Sequence, residues 1–309
     1  MILNTGCRTD IPAYYSEWFY NRVREGFVLA RNPYRPEQVL SYRLSPDVVD
    51  VLCFCTKNPQ PMLSRLSELN AFRQFWFVTV TPYGRDIEPF VPDKQQVLAS
   101  IRQLSASVGT KAVGWRYDPV FITERYSLEF HIRSFEKMAQ ALSGTVNACV
   151  VSFIDLYEKT KRNFPQARAV TTREQEALIQ AFVEIGGRYG IPIRTCCEDA
   201  SLARFGADVS GCMTRSVLEA ATGCRLNVPK SKKSPRAQCD CLLGADIGMY
   251  NTCPHGCVYC YANSDRRAVE QNRKRHDPAS PLLIGHLHEG DQILEARQES
   301  YVSDQISMF

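Results

Sequence analysis

The sequence predicts an α/β protein built on a parallel sheet, a partial or full (β/α) barrel with a cysteine-rich C-terminal segment, and three observations predict it. Short apolar, β-branched runs alternate with longer runs of helical period, the signature of β/α units. Each predicted strand is followed by polar or charged residues, as in barrels that assemble their active sites at the C-terminal ends of the strands. The chain has 309 residues, 44% hydrophobic and 23% charged, enough for a large core and unlike a disordered or collagen-like composition.

The first strand is expected at Ile2–Gly6 and runs into Cys7-Arg8-Thr9-Asp10, where Asp10 also suits the N-cap of a helix over Ala13–Glu25. An extended strand pair is expected around Phe27–Tyr42. The second strand, Val49–Cys55, leads into Thr56-Lys57-Asn58-Pro59 and a helix over Pro61–Asn70; the third, Phe75–Thr81, leads into Thr81-Pro82-Tyr83-Gly84 and a helix over Lys94–Ser107. Pro61 and Pro92 fall where a first helical turn tolerates proline. The fourth strand, Ala112–Asp118, ends in Arg116-Tyr117-Asp118-Pro119 before a helix over Ser127–Leu142. The fifth, Ala148–Asp155, ends at Asp155, and Thr172 with Gln175 reads as the capping box of a helix over Thr172–Arg188. The sixth, Ile191–Cys196, runs into Cys196-Cys197-Glu198-Asp199, and a seventh is expected at Ala245–Asn251. One domain is expected over 1–309: β/α units over 1–195, a cysteine-rich segment over 196–262 that completes the barrel, and a C-terminal helix and tail over 263–309.

No apolar run approaches the roughly 18 residues of a membrane span, and the N-terminus lacks the basic and apolar regions of a secretory signal. A cytoplasmic protein is expected. The net charge of +4 is too weak by itself to argue for a nucleic-acid partner. Two local stretches, Arg225 to Arg236 and Arg266 to Arg275, are basic and suit either solvated faces or contacts with phosphates and acidic surfaces.

Thirteen cysteines in a reducing compartment do not suit a disulfide framework, so metal or cluster ligation leads. Nine of them, from Cys196 to Cys260, fall in the last third. Cys253-Pro254-His255-Gly256-Cys257-Val258-Tyr259-Cys260 is C-x3-C-x2-C, three thiols that one short loop can wrap around a single cubane cluster while leaving one iron open. Zinc competes for such a loop, with His255 or a distant cysteine as fourth ligand. Cys53, Cys55 and Cys149 lie in apolar strands and read as core residues.

The triad, with Tyr259 before its last cysteine, resembles the cluster motif of the radical S-adenosylmethionine (radical SAM) superfamily. The wider context, from GCRTDIPAYYSEWFYNRVREG through CFCTKNP, TPYGRDIEP, WRYDP and SFIDLYEK to CDCLLGADIGMYNTCPHGCVYCYAN, resembles an uncharacterised bacterial domain-of-unknown-function family with such a cluster at its C-terminus. The first resemblance implies that Cys253, Cys257 and Cys260 bind a 4Fe-4S cluster whose open iron chelates SAM. It further implies that the reduced cluster cleaves SAM to methionine and a 5'-deoxyadenosyl radical, which attacks a substrate that neither resemblance names. An electron donor such as flavodoxin or ferredoxin is then expected.

Most superfamily members carry the triad after the first barrel strand, whereas here it comes last. A circular permutation accounts for this if Ala245–Asn251 lies beside Ile2–Gly6, bringing Gly6, Arg8 and Asp10 next to the triad; no Gly-Gly-Glu element is present. With SAM in view, Gly6, Asp10 and Tyr259 are the expected cofactor contacts, and Arg8, Asp10, Lys57, Asn58, Tyr83, Arg116, Asp118, Asp155 and Glu198 are the candidates for SAM and substrate contacts. Buried ion pairs among the same residues are the plainer alternative. Cys196, Cys212, Cys239 and Cys241 are the expected ligands of a second, auxiliary cluster, with structural zinc or unligated thiols as alternatives and Cys197 and Cys224 in reserve. The last five residues, Gln305, Ile306, Ser307, Met308 and Phe309, resemble the peptide that bacterial proteins insert into the DNA sliding clamp. The competing function is an iron-sulfur or zinc-stabilised nucleic-acid-binding or DNA-repair-associated protein that does not cleave SAM.

Overall fold

The computed structural model describes residues 1–232, 234, 239–242 and 244–303. Along the chain the elements are β1 (Ile2–Asn4), α1 (Ile11–Tyr14), α2 (Ser16–Glu25), β2 (Phe27–Arg31), β3 (Gln38–Arg43), β4 (Val51–Thr56), α3 (Gln60–Leu63), β5 (Gln74–Thr79), α4 (Lys94–Val108) and β6 (Val113–Val120). They continue with α5 (Leu128–Leu142), β7 (Cys149–Phe153), α6 (Glu158–Asn163), α7 (Thr172–Tyr189), β8 (Ile193–Thr195), α8 (Arg215–Thr222), β9 (Ala245–Asp246), α9 (Arg266–Lys274) and β10 (Gln292–Glu295). No helix among the described residues is long and apolar enough to cross a membrane.

Seven strands form one parallel sheet in the order β8-β7-β6-β5-β4-β1-β9. The fold is thus α/β with a mostly parallel sheet, a topology compatible with a (β/α) barrel. The expected pairing of the last sheet strand with the first is present: Leu3 lies opposite Ala245 and Asn4 opposite Asp246, in parallel. A separate three-stranded sheet joins the antiparallel pair β2 and β3 to β10, which the sequence reading did not anticipate.

Alternation along the strands builds two cores. Leu52, Phe54, Trp76, Val78, Cys149 and Val151 face a large cluster that includes Ile101 and Leu104 of α4, Phe135 of α5 and Phe182 of α7. Trp115 and Phe135 stack at 4.8 Å, and Phe135 and Phe182 at 4.0 Å. The alternate residues Val51, Cys53, Phe75, Phe77 and Val150 face a smaller cluster with Val217 and Leu218 of α8 and with Cys212, Cys239 and Cys241. Both faces of the strands are therefore apolar, as a parallel sheet covered on both sides requires. The cysteine-rich segment is what covers the second face.

Several boundaries differ from the sequence reading for local reasons. The helix expected over Ala13–Glu25 divides at Tyr15, where ψ turns to 24° and the side-chain hydroxyl donates to the Thr252 carbonyl at 2.5 Å. The helix expected over Pro61–Asn70 is a short α3 followed by a 3-10 turn, Leu66–Leu69. Pro92 precedes the N-cap Asp93 and so lies outside the first turn of α4. The capping box of α7 uses Thr171 and Glu174, one residue earlier than expected. β9 is two residues long, although the Ile247 amide extends its pairing by donating to the Asn4 carbonyl at 3.1 Å.

Candidate functional site

At the C-terminal ends of the strands lies a cavity of about 730 Å³. Its walls come from the segments after β1, β4, β6, β7 and β8 and from the loop after β9 that carries Cys253, Cys257 and Cys260. Parallel strands leave their last side chains and following loops at one end, so residues distant in sequence share one rim. Of the expected contacts, Gly6, Arg8, Asp10, Lys57, Arg116, Asp118, Asp155, Glu198 and Tyr259 border this cavity, as does Cys196.

Two expected contacts lie elsewhere. Tyr83 is buried, with its hydroxyl donating to the Pro119 carbonyl at 2.7 Å and its ring stacked 4.2 Å from Phe121, so it is core. Asn58 shapes its own turn: its amide donates to Thr56 Oγ1 at 2.9 Å and its Oδ1 accepts from the Gln60 amide at 3.2 Å. Both follow a strand, but the period-two alternation of the preceding strand and the tightness of the turn point them away from the cavity.

The triad loop is held at its base and along its flank. Asn251, in the left-handed region at φ 58°, donates its amide to the Ala262 carbonyl at 3.1 Å, and Asn263 Nδ2 donates to the Cys253 carbonyl at 2.7 Å. The flank docks on the segment after β5: the Phe90 amide donates to the His255 carbonyl and the Val258 amide to the Ile87 carbonyl, each at 3.1 Å. Burial pushes the Cys257 thiol up to about 12 and the Cys253 thiol well above its usual value. Proton release therefore accompanies any metal that these sulfurs bind.

His255 is fixed by both ring nitrogens. Nε2 lies 2.8 Å from Asp10 Oδ2 and Nδ1 lies 3.0 Å from the Tyr14 hydroxyl. Asp10 also accepts from the Lys57 amide at 2.7 Å and the Ala13 amide at 3.0 Å. The carboxylate thus joins the β1 loop, the β4 loop and the triad loop while capping α1. Both ring nitrogens of His255 are thus engaged, and Asp10 holds the ring and the three loops together. Gly6 is the close-approach point of the same rim: a Cβ there would sit 2.1 Å from the Cys55 carbonyl oxygen.

Three of the rim cations, Arg8, Arg116 and Lys57, are paired with acids. Arg8 donates through Nε to Asp246 Oδ2 and through Nη2 to the Asp246 carbonyl, both at 2.5 Å, fastening the β1 loop to β9. Arg116 pairs with Asp118 at 2.9 Å. Lys57 Nζ donates to Glu88 at 2.8 Å. Glu88, absent from the sequence reading, is buried and also accepts from Lys94, from the Tyr259 hydroxyl and from Thr81 Oγ1 at 2.7 Å. Although burial opposes its charge, Lys57 and Lys94 hold its carboxyl down to about 2. The signal for it was a single acid in the apolar stretch Ile87-Glu88-Pro89-Phe90-Val91. Glu198 behaves in the opposite way: burial raises its carboxyl to about 8 while Oε1 accepts the Phe153 amide at 2.8 Å.

A second group of thiols lies beyond the β8 end of the cavity. The sulfurs of Cys196, Cys212 and Cys241 lie within 4.8 Å of one another, as do those of Cys196, Cys197 and Cys239. All four cysteines expected to act as auxiliary ligands are in this group, with Cys197 as a fifth member. A cysteine cluster geometrically able to hold a metal ion is therefore present. Gln305 to Phe309, the expected clamp peptide, lie outside the described residues, as does part of the first basic stretch.

Sheet, cavity and thiols define the class: a parallel α/β protein with a cysteine cluster able to chelate a metal ion. Within that class, the chain belongs to the family described as a domain of unknown function, DUF1848, whose model matches residues 2–262. No curated protein matches it. Among solved structures it is similar to one from Bacteroides thetaiotaomicron described as a candidate alpha-L-fucosidase. The identity is 10% and the TM-score 0.29, over 53% of this chain and 50% of that one. The chain spans about half the length of that structure, and a likeness of this size carries no argument about activity.

Proposed function

We propose that the protein is a radical SAM enzyme in which Cys253, Cys257 and Cys260 hold a 4Fe-4S cluster at the rim of the strand-end cavity. The observation that carries this reading is the position of the triad loop: it follows β9, which pairs with β1, and its three cysteines border the same cavity as the β1 loop. The residues present fit the group. Three soft thiol donors in eight residues suit iron and leave one iron without a protein ligand, and His255, the nearby nitrogen donor, is engaged by Asp10 and Tyr14.

When bound and reduced by an external one-electron donor, such a cluster would pass that electron to the sulfonium of SAM, whose C–S bond to the adenosyl carbon would break to give methionine and a 5'-deoxyadenosyl radical. The chain's own residues supply geometry. Asp10 and Glu88 fix the loop from two sides, Arg8 ties the β1 loop to β9, and Arg116 with Asp118 and Glu198 gives the opposite wall its polarity. The substrate shares the cavity with SAM. The test is 5'-deoxyadenosine release from SAM by anaerobically reconstituted, reduced protein. Release by the wild type and its loss in Cys257→Ala are expected; clusters that never cleave SAM would overturn the reading and favour a metal-stabilised binding protein.

A further inference from the structure

We propose that Cys196, Cys212, Cys239 and Cys241 form a closed tetrahedral site for one zinc-type divalent ion, in place of a second four-iron cluster. This inference stands apart from the reading of the triad and concerns different residues. It rests first on spacing. Two thiolates bound to one tetrahedral ion at bond lengths of about 2.3 Å lie about 3.8 Å apart. In a cubane each thiolate binds its own iron and points outward from its own corner, so the sulfurs spread well apart.

Cys212 Sγ and Cys241 Sγ are 3.5 Å apart, the single-ion spacing. Cys196 lies within 4.8 Å of both and also within 4.8 Å of Cys239, so it belongs to both tight groups and links Cys239 to the other two. Among the described residues, groups this tight occur only within these cysteines and Cys197. Cys196 and Cys197 both border the cavity, but Cys196 belongs to both tight groups and Cys197 to one, whereas Cys212, Cys239 and Cys241 are buried away from it. Four ligands with three of them buried make a closed site of the structural kind.

The surroundings are built for a charged sulfur. Cys241 Sγ accepts two backbone amides, from Cys212 at 3.1 Å and Met213 at 3.2 Å, the type of outer contact that orients metal-bound thiolates. That approach requires glycine at 211: φ is +120°, and a Cβ there would lie 2.9 Å from Cys241 Sγ. The half-buried Arg116 guanidinium, which also pairs with Asp118, sets a positive charge toward Cys212 and Cys196, against the net negative charge of a four-thiolate site holding a divalent ion. The ion would join three chain segments, at 196, 212 and 239–241, over the second face of the sheet. Its role is to hold that cover in place, and binding displaces thiol protons to solvent.

The experiment is metal analysis of a chain lacking the triad, Cys253→Ala/Cys257→Ala/Cys260→Ala, purified with zinc and iron both in the medium. One zinc per chain is expected, with at least a tenfold loss when Cys212→Ser/Cys241→Ser is added. As a readout that does not depend on folding of that added pair, the triad-free chain is also exchanged with cobalt(II). Intense thiolate-to-cobalt charge transfer with tetrahedral d–d bands is expected. Iron with matching sulfide in this chain, or no bound metal and no tetrahedral cobalt spectrum, would overturn the proposal. Since no triad is present, these outcomes are independent of whether the wild type cleaves SAM.

Discussion

At the scale of single residues, partners decide what a rim side chain can do. Asp10 faces the cavity, yet its two oxygens are occupied by two backbone amides and His255. His255→Leu removes one partner of the buried Asp10 carboxylate and the ring partner of the Tyr14 hydroxyl; losing a hydrogen bond to a charged group costs about 1.5–3 kcal/mol. Lower denaturant midpoints and reduced iron retention after reconstitution are the expected results. His131 is a second buried histidine, remote from the thiols. Its Nδ1 contacts the Tyr117 hydroxyl at 2.8 Å and its Nε2 the Phe121 carbonyl at 2.9 Å, the pairing of a neutral ring. Burial lowers its pKa to about 4. The neutral form is the one folded, so this stability is complete above the unfolded value near 6.5 and is lost as pH falls from there toward about 4. Between pH 7.5 and 5 the loss is about 2 kcal/mol by linkage. Urea denaturation at the two pH values should show it, and His131→Gln should flatten the dependence.

At the scale of elements, the cover over the second sheet face is the least expected part of the fold. α8 presents Val217 and Leu218 to Phe75, Phe77 and Val51. Leu218→Ala should cost about 2–5 kcal/mol, as other buried leucines do, and should loosen the thiol segment, seen as faster amide exchange at Cys212 and Met213. Glu88 joins the β5 loop to the triad loop. Glu88→Gln would leave Lys57 and Lys94 without their shared anion, and breaking a buried pair costs about 3–5 kcal/mol. Thermal denaturation checks this, and since the carboxyl is held at about 2, its contribution is present above the ordinary glutamate value and lost as pH falls toward 2. The sheet strands were legible from the sequence because each is a short apolar run closed by polar residues, and the long helices α4, α5 and α7 because their apolar period persists for several turns. α8 was not legible: eight residues give two turns, and its two buried side chains sit in a stretch dominated by cysteine chemistry. Glu88 was missed because its partners come from Lys57, Lys94, Thr81 and Tyr259, none adjacent to it. Four of the five thiols of the second group were legible as a set, with Cys197 in reserve, but the spacing that separates one ion from a cubane exists only in three dimensions.

At the scale of the whole molecule, the order of the chain and the order of the sheet differ. The last strand of the sheet in sequence, β9, lies beside the first, so the final loop and the first loop meet at one rim. The Arg8 to Asp246 pair secures that junction; Arg8→Ala should weaken it and lower the yield of reconstituted triad iron more than it lowers global stability. Asp10 was legible as a neighbour of Cys257 from the expected permutation alone, whereas its bond to His255 was not.

The proposed function requires that three thiolates leave one iron open to SAM. Low-temperature electron paramagnetic resonance of the reduced, reconstituted protein, with and without SAM, tests it most directly. A 4Fe-4S signal that changes on adding SAM and vanishes in Cys257→Ala is the predicted result. A signal that SAM leaves unchanged, or that survives the loss of Cys257, would contradict the account.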